Sequence, residues 1–525
     1  MALNDRVEKY IGENRKLLLT TFVAAFFFVF AAHGYRFAHL LLSHDSLNEF
    51  FSWGDIGWEK RSVVGWKVAL GRFILPVYQM IFHGFTEMPW LSALLTIIWL
   101  WLTVYLICKT FKIAENVILV LIAGSFAVNL SITSQLATYI GDSDANIFSL
   151  FLATAGFCLW KRGGKVSLLA IPLITCVLGI YQSMISIFIT LVVFYCILLL
   201  LENEDILNVL KKGFFGILLL GVSGVVYAGV LKVVWTVWKI VPASGYNSLN
   251  RLYGAQRDSW YELVKGTYVR WVEAFVCQPS IAWQPLICLL NIIVLVLTAG
   301  LIFFCAKKNG VRIQNLCMIV ALEIVMPFGM NVSYFLSGGT LHYLMMYSFW
   351  LIYTFLLILI GKEMPVSTLA GRMNFAVKCT VVVVIVLILI TSIQTSNGAY
   401  IKKEMEENAT FSTMTRVVYA IENTEGYEEG KTKLLFVGTP QYFSNDIYGS
   451  LKGLTGMESD SPISGSGFYR SYLKYVLGIN AKVCSENASS EYNETVSAIK
   501  KSKMPVFPEK GFIQWYGDVL VIRMS

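Results

Sequence analysis

Three features of the sequence predict an α-helical polytopic membrane protein with a small α/β domain at its C-terminal end. Of 525 residues, 56% are hydrophobic and 14% charged, with mean hydropathy +0.62, whereas a soluble chain carries about 25% charged residues. The apolar residues fall into runs long enough to cross a bilayer, which needs about 20 residues per helix. After residue 396 the composition shifts abruptly to charged residues, turn formers and short strand-like runs.

The net charge of +8 would point to nucleic acid in a soluble chain. Here the lysines and arginines cluster in short connections between apolar runs, as orientation signals do, so nucleic acid does not fit as a partner. Nine of the ten cysteines lie in or beside apolar runs and Cys484 stands alone in the polar tail. That distribution builds neither a disulfide framework nor a CxxC metal knuckle.

Taken in order, the N-terminal MALNDRVEKYIGENRK carries mixed charge ahead of a run too long for a signal-peptide core and without a small-x-small cleavage site, so the first run reads as a retained span. About eleven transmembrane helices are predicted, near 17–42, 90–108, 114–137, 145–160, 166–181, 183–201, 213–237, 282–305, 314–334, 342–361 and 375–396. The stretch 166–201 is divided in two because Lys161-Arg162 and Lys211-Lys212 should share one side, which requires an even number of crossings between them. The basic connections place the N-terminus in the cytoplasm, and an odd number of crossings places the C-terminus outside. Residues 1–396 then form the transmembrane domain, with outer loops 43–89 and 238–281, and 397–525 the extracytoplasmic α/β domain. Lys433–Gly438 and Asp518–Arg523 read as strands, and 405–424 and 468–478 as helices. The two outer loops interleave Trp, Tyr and Phe with charges, as interfacial helices do.

The candidate chemistry lies in the outer connections. Asp45, in His44-Asp45-Ser46, stands where the first span meets water, a place for a general base that deprotonates an alcohol beside a lipid headgroup; capping of the next helix through Asp45 or Ser46 explains it equally. Asp55 is the competing base. Arg72, after Gly71, has the guanidinium geometry for a phosphate and also for snorkelling to a headgroup. Asp142 and Asp144, in GDSD, suit a divalent cation, a sugar hydroxyl or the first turn of a helix. Tyr181 and Gln182 mark a tight outer turn. Arg251 and Arg257 could approach a lipid phosphate or be solvated. The histidines 33, 39, 44, 83 and 342 fall toward the outer face with no HxxxH or HExxH spacing, so no zinc site is read from them. Of these, His44 and His342 join the substrate-binding candidates. Glu323, midway along the ninth span, is a functional candidate by its depth.

The set HGY, HDSL, GRF, Pro89-Trp90, GDSD and GIYQS, in this order over residues 17–360, resembles the bacterial serotype-converting glucosyltransferases of the Gtr type II family, relatives of the GT-C membrane glycosyltransferases. The resemblance implies a plasma-membrane enzyme that transfers a sugar, typically glucose, from undecaprenyl phosphate on the outer leaflet to a surface polysaccharide such as an O-antigen. It also implies partners that make and flip the lipid-linked glucose. It maps the base onto Asp45, with Asp55 in reserve, and the phosphate-binding cation onto Arg72. Inversion at the anomeric carbon follows from direct displacement, and no cofactor is required beyond the lipid donor, with a divalent cation left open by GDSD. Two other readings remain at this point. One is a polymerase or ligase acting on lipid-linked sugars; the other is a lipid-linked sugar transporter, for which Glu323 and nearby Pro327 speak.

Overall fold

A computed structural model describes residues 3–49, 63–84, 88–243, 259–277, 284–363, 371–440, 451, 453–458, 461–484 and 490–525. Among these, nine helices are long and apolar enough to cross a membrane, and two of the expected spans form shorter apolar helices, Gly164–Ile180 and Tyr347–Lys362. The chain is thus a mostly helical membrane protein with a small sheet near its C-terminus.

Helix α1 (Leu3–Ala38) is followed by three short helices, α2 (His44–Glu49), α3 (Val63–Ala69) and α4 (Leu75–Phe82). The long helices resume with α5 (Pro89–Thr110), which Pro89 opens at a position where its missing N–H costs nothing. The span expected over 114–137 is broken into α6 (Asn116–Ala127) and α7 (Leu130–Thr138). Asn129 causes the break: its backbone is extended and its side chain accepts the Ser131 N–H, starting a new helix inside the core. Helix α8 (Ile140–Arg162) ends with two cations and then Gly163 at φ +72°, a left-handed stop that glycine adopts freely. The bundle continues with α9 (Ala170–Ile180), α10 (Ile185–Leu201), α11 (Ile206–Val237), α12 (Trp260–Val272), α13 (Gln284–Lys308), α14 (Ile313–Met330), α15 (Val332–Leu336) and α16 (Leu351–Glu363).

Helix α8 is the central post, packed against α5, α9 and α10, while α1 packs on α5, α6 and α17 (Gly371–Glu422). Basic residues gather at one end of the bundle, where Lys362 pairs with Glu202 at 3.2 Å and Lys161 donates to Thr110 O at 2.7 Å. The short helices α2, α3 and α4 lie at the other end.

The compositional boundary at 396–397 falls inside α17, a continuous helix of 52 residues, about 78 Å long at 1.5 Å per residue. The shift there marks the helix leaving its apolar run, with no break in the chain. Its last turns pack on a four-stranded sheet of order β2-β1-β4-β3, built from β1 (Lys433–Val437), β2 (Lys482–Cys484), β3 (Ile513–Tyr516) and β4 (Val519–Arg523). Strand β1 is parallel to β2 and β4, and β3 is antiparallel to β4. Alternation along β1 and β4 divides the domain into two cores. Leu434, Phe436, Leu520 and Ile522 meet α17 and α18 (Ser466–Tyr475), whereas Leu435, Val437, Val519 and Val521 meet α19 (Ser490–Lys501).

The sheet domain also reaches back into the bundle. Leu451, Leu454 and Met457 belong to the bundle core, and Tyr343 N–H donates to Thr455 Oγ1 at 3.0 Å. Gly456 has φ +91°, and a Cβ there would lie 2.5 Å from Thr138 Oγ1 and 3.1 Å from the Ala137 carbonyl carbon. Gly456→Val is therefore expected to cost about 1–3 kcal/mol, read as a lowered thermal midpoint of the detergent-solubilised protein. Gly224→Ala, into open space on α11, should leave it unchanged or raise it.

Candidate functional site

Helices α3 and α4 form a tight hairpin whose tip is Leu70-Gly71-Arg72. Gly71, at φ +86°, ends α3 in the left-handed conformation, so that Arg72 N–H bonds back to Lys67 O at 2.9 Å. The tip docks on the turn between α9 and α10: Ile74 N–H donates to Gly179 O at 2.9 Å, and Gln182 Nε2 donates to Leu70 O at 3.1 Å. A Cβ on Gly179 would stand 2.8 Å from Ile74 Cγ1, so the close approach needs glycine there. From α11, Tyr227 donates to Gly71 O at 3.0 Å and Trp235 to Val68 O at 2.9 Å. Arg72 is thereby held with its guanidinium 5.0 Å from the centre of the Tyr181 ring. Its Nε is buried without a hydrogen-bond partner.

The body of the hairpin lies against the first turn of α8. Lys67 Nζ donates to Asp142 Oδ1 at 2.6 Å and to Gln79 Oε1 at 3.2 Å, while Gln79 Nε2 donates to the same carboxylate oxygen at 2.7 Å and to Gly141 O at 3.1 Å. All three side chains are buried. Two residues further along α8, Asp144 Oδ2 accepts from Tyr78 at 2.6 Å and from His83 Nε2 at 2.9 Å. Burial, and then the Asp144 charge, push the Tyr78 phenol far up, so it stays a donor. Trp99 Nε1 in turn donates to Tyr78 Oη at 3.0 Å. Asp142 and Asp144 thus start a helix and are also buried, each held by the hairpin through one carboxylate oxygen, while Asp144 Oδ1 has no hydrogen-bond partner among the described residues.

Asp45 lies in the first turn of α2. Ser43 takes the cap: its hydroxyl accepts the Ser46 N–H at 3.0 Å and donates to Thr138 O at 2.5 Å. Capping through Asp45 or Ser46 is replaced by capping through Ser43, and the Asp45 carboxylate is engaged instead with His44, 3.2 Å away. Both are about one-third exposed, at 31% and 34%. The His44 ring is edge-on to Phe468 of α18 at 5.7 Å. Since α2 is bonded to the last residue of α7, Asp45 belongs to the same end of the bundle as the start of α8.

His342 sits in the segment bonded to the 453–458 strap; burial lowers its pKa, opposed by the Glu458 charge. Asp55, Arg251 and Arg257 lie outside the described residues. Glu323 is half-buried on α14. Among the described residues no three of His, Cys, Asp and Glu converge as metal ligands. The residues missed from the sequence are Lys67, Tyr78, Gln79 and, in its role, His83. Their signal is polar side chains in otherwise apolar short helices, with Gln79 and His83 four apart on one face of the chain leaving α4.

Fold and site together define a polytopic membrane protein with acids and cations clustered at one end of its bundle, arranged around a hairpin and the starts of two membrane helices. The model of the family glucosyl transferase GtrII matches residues 46–353, more than half of the chain. The chain belongs to that family and is a membrane glycosyltransferase. Comparison with curated proteins and with solved structures gives no match.

Because Lys67 and Asp142 are buried as a pair, removing one charge strands the other. Asp142→Asn is expected to cost about 3–5 kcal/mol, seen as a large fall in the thermal midpoint. The double variant Lys67→Met with Asp142→Asn should recover much of that loss.

Proposed function

We propose that the protein transfers a sugar, glucose, from undecaprenyl-phosphate-glucose to a surface polysaccharide on the extracytoplasmic face of the bacterial plasma membrane. The N-terminus is then cytoplasmic, the sheet domain extracytoplasmic, and the donor is supplied by a separate lipid-linked glucose synthase and flippase. The observation that carries the reading is the hairpin tip: within the family-matched region, Arg72 is fixed over Tyr181 without an ion pair among the described residues, while Lys67 beside it is already neutralised by Asp142. Of the two described hairpin cations, Arg72 is the one we assign to the carrier phosphate.

A polyprenyl phosphate cannot leave the bilayer, so its sugar phosphate must be met where membrane helices end, and the hairpin and α2 are at such an end. The acceptor hydroxyl attacks the anomeric carbon from the side opposite the phosphate. As the new C–O bond forms, the bond to phosphate breaks, the electron pair leaves with the phosphate, and Asp45 takes the hydroxyl proton. The anomeric configuration inverts and no covalent enzyme intermediate is needed. The partial exposure of Asp45 suits a base that must meet a bulky glycan from water.

The test is incubation of the purified protein with polyprenyl-phosphate-glucose and candidate acceptor glycans, following loss of the carrier-linked sugar. Asp45→Asn is expected to lower turnover by about 100-fold or more with normal membrane insertion, and Arg72→Gln to weaken use of the donor. Full activity of Asp45→Asn would remove its role as base, and no consumption of the donor by the wild-type protein with any acceptor would sink the whole reading.

A further inference from the structure

Residues 39–43, which join α1 to α2 just ahead of Asp45, form neither helix nor strand. Leu41, Leu42 and Ser43 among them are nonetheless buried, at most 6% exposed. A buried chain cannot leave its backbone groups to water, so the side chains that meet those groups decide where it runs. At its start Arg36, buried in the last turn of α1, donates from Nη1 to His39 O at 2.9 Å and from Nε to Leu136 O of α7 at 2.8 Å. The guanidinium thus lies between the C-terminal ends of two helices, where a cation is favoured. At its end Ser43 is tied to Thr138 O of α7. Between these two anchors, Glu407 of α17 accepts the Leu42 N–H through Oε2 at 3.2 Å.

This bond continues a ladder that runs up α17. Asn397, Tyr400, Glu404 and Glu407 are spaced i, i+3, i+7, i+10 and share one face of the helix. Asn397 Nδ2 donates to Ala31 O at 2.9 Å, the Tyr400 hydroxyl bonds His33 Nδ1 at 2.8 Å, and Tyr35 donates to Glu404. These three rungs hold α17 against α1. The fourth passes beyond the end of α1 and grips the irregular chain three residues ahead of Asp45. Since α17 is one unbroken helix, Glu407 is a fixed point on a rigid element, and the charges of Arg36 and Lys403 act on its carboxylate.

Helix α2 has only six residues, too few to keep its own place, so the carboxylate of Asp45 stands where the preceding chain puts it. We propose that Glu407 is a positioning residue for sugar transfer, acting through Asp45: by holding the Leu42 N–H it sets the chain that presents the base. This rests on Asp45 being the base of the preceding section. Misplacing a reacting group by about 1 Å can cost on the order of a hundredfold in rate, so a single backbone hydrogen bond at this place is felt in turnover. The donor phosphate is assigned to Arg72 on the hairpin, outside this ladder, and its binding does not depend on the Leu42 bond.

The test separates the hydrogen bond from the charge, using the full-length protein in nanodiscs with polyprenyl-phosphate-glucose and an acceptor glycan that supports turnover. Glu407→Gln keeps an acceptor oxygen at full reach and loses the charge, whereas Glu407→Asp keeps the charge and falls one methylene short of Leu42. Glu407→Asp and Glu407→Ala should lower kcat by about ten- to hundredfold with the KM for the donor unchanged, and Glu407→Gln should restore most of the wild-type kcat. In an Asp45→Asn background, Glu407→Ala should add little further loss, because residues that act as a unit are not additive. Wild-type kcat in Glu407→Asp, a Gln variant as impaired as the Ala variant, a donor KM that rises as kcat falls, or the full further loss in the Asp45→Asn background overturns the positioning role while leaving the base in place. Wild-type turnover by Asp45→Asn alone strikes the base itself, and Glu407 with it.

Discussion

The buried pair of Lys67 and Asp142 is the constraint on which the arrangement of this site depends. Either charge alone would be expelled from a low-dielectric wall, because the desolvation cost of one ion is offset only by a well-placed opposite ion with its remaining hydrogen bonds met. Here Gln79 meets them, donating to the carboxylate and accepting from the ammonium. Lys67 lies on the hairpin after the first span and Asp142 at the start of α8, so satisfying the electrostatics also joins two parts of the chain that are 75 residues apart. Asp144 is tied to the hairpin as well, its Oδ2 accepting from Tyr78 and His83.

With the hairpin pinned along its length, its tip has few choices. Gly71 turns the chain, Gly179 lets Ile74 close on the next turn, and Tyr227 and Trp235 take the carbonyls that the turn leaves open. These contacts engage backbone and leave the Arg72 side chain to the Tyr181 ring. Stacking orients a guanidinium without consuming its donors, so the cation is fixed in place and still able to bind an anion.

Much of this was legible in the sequence, because apolar runs and helix-terminal residues report local structure directly. GRF, GDSD and GIYQS were each recognisable as punctuation between helices, and they do meet: Gly71-Arg72 on Gly179–Gln182, and Asp142 under the hairpin. The sheet strands at Lys433 and Asp518 were visible as short strand-like runs rich in apolar and β-branched residues. What was hidden was pairing. A lysine in VVGWKVA or a glutamine in LPVYQMIF looks like an ordinary interfacial residue until its partner is known, and that partner lies across a separation no local pattern encodes. Asn129 was hidden in the same way, since a polar residue inside a run long enough to span a membrane does not announce that it caps a new helix. The continuity of α17 was hidden for the opposite reason: a change in composition marks a change of solvent, and a helix can pass through that change unbroken.

The position of Asp45 shows how the two bodies of the molecule depend on each other. Its helix is too short to hold itself, since six residues form little more than one turn. On the bundle side it is tied by the Ser43 hydroxyl to the Thr138 carbonyl. On the other side Leu42 and Leu47, which flank Asp45, are buried in the core formed by α17, α18 and the sheet. The same residue of α7 that receives Ser43 is the one against which Gly456 is pressed. The sheet domain therefore braces α2 from above and the end of α7 from beside it, and the one-third-exposed carboxylate is held in the seam between them. A domain attached only by a flexible tether would leave α2 without half of its packing; the unbroken α17 and the inserted strap make the sheet part of the framework that fixes Asp45 relative to the hairpin.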